Sequence, residues 1–184
     1  MIILETKRLL IRDHIEEDLD NLFDLISRPF EMRFIMDLFV VDPKGAEDNL
    51  EVSMRDIGKP NRKHYFFAII ERETSKYIGE IGFTVLDENS SGKLLELGYF
   101  TKREFWGQGM TSEAAKKCVD FAFNELDAWK ITTGCVKENV ASERIMIKLG
   151  FRKEAELKEH QSVNQEWKDR VLYGLLKSEY KMED

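Results

Sequence analysis

Leu97-Gly98-Tyr99-Phe100-Thr101-Lys102-Arg103-Glu104-Phe105-Trp106-Gly107-Gln108-Gly109-Met110-Thr111 is the stretch on which the fold turns. It begins as the end of a strand spanning 94–101, passes through a loop with two alternate glycines, and opens a helix near Met110. Glycines let a backbone turn tightly and let a ligand approach main-chain N–H groups with no Cβ in the way. Successive N–H groups at a helix N-terminus, backed by the helix dipole, suit an anion such as a pyrophosphate. Two better-known phosphate motifs are excluded by spelling. No glycine is followed by Lys-Ser or Lys-Thr, and the third glycine of the dinucleotide fingerprint is replaced by Ser112.

Downstream, the helix runs from about Met110 to Leu126, with Ala115, Cys118, Val119, Ala122, Phe123 and Leu126 as its apolar face. A strand at 130–137, a helix at 140–149 stopped by Gly150, and strands near 151–158 and 166–177 follow. Upstream lie strands at 64–71 and 77–86, joined by Glu73-Thr74-Ser75-Lys76. The turn Asn89-Ser90-Ser91-Gly92 then leads into the strand at 94–101. Residues 7–13 read as the first strand. Glu16-Glu17-Asp18 opens a helix that Pro29 is expected to end, and 30–41 has no clear period. Asp42-Pro43 caps a second helix reaching about Ile57. A three-strand meander followed by crossings through helices predicts an α/β fold: a mixed sheet with helices on both faces.

The composition bounds this reading. The chain has 184 residues, 42% hydrophobic and 34% charged, which suits one domain over 1–184. A net charge of −7 argues against sequence-independent nucleic-acid binding and mildly favours a cationic partner. Cys118 and Cys135 are too few for a disulfide framework or zinc site and read as buried thiols. His14, His64 and His160 have no metal-ligand spacing and read as structural or surface residues; no metal is expected. Trp129 and Trp167 read as packing residues. With no membrane-length apolar run and no signal-peptide pattern, the expected location is a reducing cytoplasm, with no membrane partner.

The glycine loop resembles the acyl-CoA-binding signature of the GNAT superfamily, Arg/Gln-x-x-Gly-x-Gly/Ala, with Trp106, Gly109 and Thr111 at its three specified positions. Trp106 and Thr111 depart from the pattern. A second hallmark lies in Asn139-Val140-Ala141-Ser142-Glu143-Arg144-Ile145-Met146-Ile147-Lys148-Leu149-Gly150-Phe151: an Asn after a strand, then a helix ending in Leu-Gly-Phe. Many members carry a proton-donating Tyr four residues before that glycine, where this chain has Met146. The RimJ/RimL-type branch, ribosomal-protein N-terminal acetyltransferases, instead places a Ser three after the Asn, here Ser142. Leu4-Glu5-Thr6-Lys7-Arg8-Leu9-Leu10-Ile11-Arg12 and Glu96-Leu97-Gly98-Tyr99 are similar to that branch too.

The resemblance implies the GNAT acyl-CoA N-acyltransferase fold, with a mostly antiparallel twisted sheet of about seven strands and about four helices. It implies transfer of acetyl from acetyl-CoA to a primary amine, on a small molecule or a protein N-terminus, with no covalent enzyme intermediate. The cofactor contacts it implies are Phe100, Thr101, Trp106, Gly107, Gln108, Gly109, Met110, Thr111 and Asn139. Glu96, before an expected bulge on its strand, is the first choice for general base; Glu80 on the neighbouring strand is the second. Ser142 is the expected proton donor to the thiolate. The acceptor pocket is expected from 20–60 and 155–170, which carry no readable motif. The competing readings are a non-catalytic acyl-CoA-binding module of the same fold and a pure interaction domain. The branch contains monomers and dimers, which leaves a homodimer open.

Overall fold

The first strand run resolves into a hairpin of two strands, β1 (Ile3–Glu5) and β2 (Leu9–Asp13). Lys7 and Arg8 lie in its turn, closed by the Thr6 N–H donating to the Leu9 carbonyl at 2.9 Å. Three residues are too few for alternation to be seen, which is why β1 escaped the sequence reading. The computed structural model describes residues 1–181. The sheet thus has eight strands rather than seven.

Helix α1 (Leu19–Ile26) ends before Pro29. Pro29 does not stop that helix; it opens the short α2 (Pro29–Met32), where its missing N–H costs nothing. Asp42 caps α3 (Pro43–Met54), accepting the Gly45 N–H at 3.0 Å, and the helix stops short of Ile57. The remaining elements follow the expected order: β3 (His64–Glu71), β4 (Tyr77–Asn89), β5 (Gly92–Thr101), α4 (Met110–Asn124), β6 (Ala128–Val136), α5 (Val140–Lys148), β7 (Arg152–Val163) and β8 (Glu166–Leu176).

The sheet order is β1-β2-β3-β4-β5-β6-β8-β7, antiparallel throughout except for the parallel pair β5–β6. That pair is short. It runs from Lys93 opposite Ala128 to Glu96 opposite Thr132 and ends there. The expected bulge beside Glu96 is absent: the β4–β5 register shifts between Val85 and Asp87 and is regular from Leu95 to Thr101. What frees the end of β5 is the divergence of its neighbour.

Each face of the sheet carries its own core. On one, α4 buries Ala115, Cys118, Val119, Ala122 and Phe123 as its spacing predicts, and Leu126, just past the helix end at Asn124, joins them against Phe67, Phe83 and Leu95. On the other, Leu22, Leu25, Ile26, Ala46 and Leu50 of α1 and α3 cover Ala68 and Tyr77. Burying one such Leu or Phe contributes about 1.5–3 kcal/mol, so both helical layers are firmly seated. Trp129 and Trp167 are not packing residues; both are exposed on strand surfaces.

Candidate active site

The glycine loop takes the form the sequence demands. Gly107 and Gly109 have φ of +73° and +76°, the left-handed region that side chains resist, and Gly109 is the N-cap of α4. A Cβ on Gly107 would meet nothing within 4 Å, so backbone conformation and open access, not packing, call for glycine there. The β1–β2 turn braces the loop from below. Arg8 donates from Nη1 to the Gln108 carbonyl at 3.0 Å and from Nε to Glu113 at 2.7 Å, and Thr6 donates to Glu113 at 2.6 Å. Thr6 and Arg8 were not singled out as site residues; nothing local links them to a loop a hundred residues away.

The loop's side chains divide by role. Gln108 turns back to the Glu104 carbonyl at 2.7 Å and Met110 is buried in the core, so both offer only main-chain groups to a ligand. Trp106 donates its indole N–H to the Thr101 carbonyl at 2.9 Å, and Thr101 and Thr111 hydroxyls lie 3.3 Å apart. Trp106, Gly107, Thr101 and Thr111 line a cleft of about 180 Å³ with Phe100, Asn139, Ser142 and Ile145. First-turn N–H groups of a helix lack intrahelical partners, so this cleft fits an anionic, elongated ligand such as a coenzyme A.

The cleft meets a second cavity of about 360 Å³ where β5 and β6 part, and Tyr99, Phe100, Asn139 and Ser142 belong to both. This second cavity opens toward α1–α3. Its walls include Leu22, Ile26, Leu38 and Val52 with Gln161 and Arg170, from the two regions where an acceptor pocket was expected. The molecule is therefore open through its sheet, with the Thr133 hydroxyl bonded to the Leu97 carbonyl at 2.9 Å at the fork.

Strand alternation sorts the ionisable groups by face. Glu80 and Glu96 line the larger cavity. Glu96 is 44% exposed and its nearest cation is Arg170 at 3.7 Å. Glu80 is only 12% exposed and lies 3.0 Å from Nε2 of His14. His14 is fully buried, with Nδ1 3.2 Å from Asp18, whose carboxylate is gripped at 2.7 and 2.8 Å by Arg12. Burial opposes the imidazolium, but the carboxylates of Asp18 and Glu80 outweigh it and raise His14 to about 9. His14 is buried among carboxylates, and it also touches Glu80, the second candidate general base, which no spacing in the sequence announces.

On the opposite face Ser142, in the first turn of α5, has its hydroxyl 3.0 Å from the Tyr99 hydroxyl. Asn139 caps the same helix, accepting the Ser142 N–H at 3.3 Å. Burial holds the Tyr99 phenol well above its usual range, only partly offset by Ser142. Tyr99 was overlooked, although alternation from Glu96 places it on the face of α5. Met146 is buried in the core and carries no acid to this site. Cys118 and Cys135 are buried thiols; burial pushes Cys135 up to about 11. His64 pairs with Asp56 at 3.0 Å and His160 is exposed. Among the described residues, no group of His, Cys, Asp and Glu is placed to hold a metal ion, and no helix is long and apolar enough to cross a membrane.

Comparison with known proteins agrees with this geometry. The family model described as an acetyltransferase (GNAT) domain matches residues 8–152. An uncharacterized N-acetyltransferase p20 of Bacillus licheniformis is 32% identical over 180 residues, covering 96% of this chain and 97% of the relative. A GNAT-family acetyltransferase from Bacillus anthracis superposes with a TM-score of 0.83 at 25% identity, covering 97% of this chain and all of that one. RimL, a ribosomal L7/L12 alpha-N-protein acetyltransferase solved with coenzyme A, shares the fold at a TM-score of 0.84 and 16% identity, covering 95% of this chain and 98% of that one. The chain belongs to the GNAT family of N-acetyltransferases.

Proposed function

We propose that this protein takes acetyl-CoA on the α4 side of its sheet and transfers the acetyl group directly to a primary amine held on the α1–α3 side. The observation that carries the reading is the opening through the sheet at the β5–β6 fork, with Glu80 and Glu96 in the larger cavity and the Tyr99 and Ser142 hydroxyls where the two cavities meet. The net change is ammonium plus acetyl-CoA to amide, free thiol and one proton. The amine is its own nucleophile, so no enzyme group need be acylated.

The pyrophosphate fits the main-chain N–H groups from Gly107 to Thr111, and the pantetheine arm fits the cleft along Phe100, Thr101, Trp106 and Asn139. Acetyl-CoA brings the activated acyl group; the chain aligns it and handles protons. Past Glu96, β5 has no strand on its β6 side, so its main-chain donors there are free to polarise a carbonyl. Glu96 is the general base: it reaches water, and its neighbouring cation, Arg170, stands 3.7 Å off. Glu80 is less suited, since one carboxylate oxygen faces an imidazolium. Ser142, backed by Tyr99, returns a proton to the departing thiolate.

Calorimetric titration with acetyl-CoA tests the cofactor half. Saturable binding that Gly109→Trp abolishes supports it; no heat and no thermal shift sinks it. Release of free thiol in the presence of an amine tests the chemistry. The buried Met146 keeps a non-catalytic acyl-CoA-binding module as the second reading, which predicts binding without any thiol release.

A further inference from the structure

Among the described residues, the walls of the larger cavity contain three charged side chains, Glu80, Glu96 and Arg170. Each carboxylate already faces a cation. Glu80 has His14 at 3.0 Å, itself buried against Asp18, and Asp18 in turn is held by Arg12. Glu96 has Arg170 at 3.7 Å. Arg170 in turn donates to Gln161 at 2.8 Å, and Gln161 donates to the Phe34 carbonyl at 3.2 Å, so the arginine is held in place. With His14 protonated the cavity and its backing are close to charge-neutral. Its imidazole stays protonated through neutral pH, being raised to about 9.

The rest of the lining is mostly apolar. Leu22, Ile26, Ile35, Leu38, Val52 and Phe66 face it from α1, α3, β3 and the segment between α2 and α3. Two polar residues on the α3 wall are engaged by their own helix: Asn49 donates to the Gly45 carbonyl at 2.8 Å and Ser53 to the Asn49 carbonyl at 3.1 Å. A polyamine needs an uncompensated carboxylate for every ammonium it leaves unreacted, because a desolvated charge without a partner costs several kcal/mol. This cavity has none to offer. A carboxylate-bearing acceptor fares no better, since Arg170 is already engaged by Glu96 and Gln161.

We infer that the acceptor is a primary monoamine with an uncharged, mainly apolar body, and that polyamines and amino-acid carboxylates are discriminated against by the compensated charges of the cavity. The inference rests on the acetyl-transfer reading above. In that reading Glu96 takes one proton from the ammonium, and no second cation has a place to sit. The apolar body lies against Leu22, Ile26, Leu38 and Val52.

The test uses the whole protein with acetyl-CoA and follows free thiol for 2-phenylethylamine and isoamylamine against putrescine, spermidine and leucine. The expected result is a kcat/KM for the two apolar monoamines at least about tenfold above the other three. Two variants sharpen it. Arg170→Gln frees Glu96 of its partner, and Val52→Glu puts an unpaired carboxylate on a half-buried wall position. Each is expected to raise the spermidine-to-phenylethylamine ratio, by about threefold or more. A ratio is read because loss of folding or of base strength scales both substrates alike. Polyamines or leucine turning over as well as the monoamines overturns the inference while leaving the acetyltransferase intact. So does acetyl-CoA binding with no turnover of either monoamine. Absence of acetyl-CoA binding fails the underlying reading instead, and calorimetry done first separates the two failures.

Discussion

The two sides of the sheet are built on different logics. On the α4 side the proposed cofactor site rests on main-chain groups, shaped by two left-handed glycines and a helix start within five residues, Gly107 to Thr111. On the α1–α3 side the cavity is walled by residues from strands β3 to β8, helices α1, α3 and α5, and the loop between α2 and α3. A main-chain site is written locally: Trp106 and Thr111 depart from the family pattern, yet Gly107 and Gly109 take left-handed φ directly ahead of α4. A side-chain site is written nowhere in particular. This contrast explains how proteins alike in the first region can accept unlike amines in the second.

The strongest way to break the contrast is at the glycine loop. Gly109→Trp forces a bulky residue to φ +76° at the N-cap of α4 and is expected to reduce acetyl-CoA affinity by at least about 100-fold by calorimetry. Retained affinity would mean the α4 side is not the cofactor side. Next in size is Glu96→Gln, expected to lower kcat by about 100-fold with acetyl-CoA affinity unchanged, since the proposed base lies across the sheet from the loop. An unchanged kcat passes the role to Glu80 or to water. Ser142→Ala should cost about tenfold, because Tyr99 lies 3.0 Å away and shares the proton path; adding Tyr99→Phe should then cost more than Tyr99→Phe does alone.

Below these comes a stability effect confined to the acceptor side. His14 is raised to about 9 in the fold against 6.5 unfolded, so its contribution is fully present below pH 6.5 and lost as pH rises through 9. The urea midpoint of the native protein should therefore exceed that of His14→Gln most at pH 6. The gap, on the order of 3 kcal/mol at most, should close by pH 9.5. A gap independent of pH would mean His14 acts by packing alone. The smallest effect is expected far from both sides. Lys158 pairs with Glu156 and Asp169 at 3.0 and 2.8 Å on the exposed hairpin of β7 and β8, and Lys158→Ala should leave both the midpoint and the kinetics unchanged.

The legible part of the molecule follows the same division. Ala115, Cys118, Val119, Ala122, Phe123 and Leu126 recur at helical spacing and are all buried, and Asp42-Pro43 and Gly109 mark helix starts where they stand. These are local signals with a local cause. The places where reading failed are those where neighbours along the chain do not decide. Pro29 can end one helix or begin the next, and β1 is too short to show a period. Trp129 and Trp167 look like core residues by type, but each lies on the solvent side of its strand. The bulge expected at Glu96 is replaced by a fork that depends on where β6 leaves β5.

By itself, the sequence determined a GNAT-family acetyltransferase of mixed α/β fold with a glycine loop at a helix start, because periodicity and caps act over a few residues. Only the tertiary structure decided that Glu80 is tied through His14 to Asp18, that Tyr99 meets Ser142, and that Arg170 stands beside Glu96. Those pairs bring together residues 43 to 74 positions apart or, like His14 and Asp18, neighbours whose shared burial depends on distant strands. Charge compensation is a property of three-dimensional proximity in a low dielectric, and a linear chain does not display it.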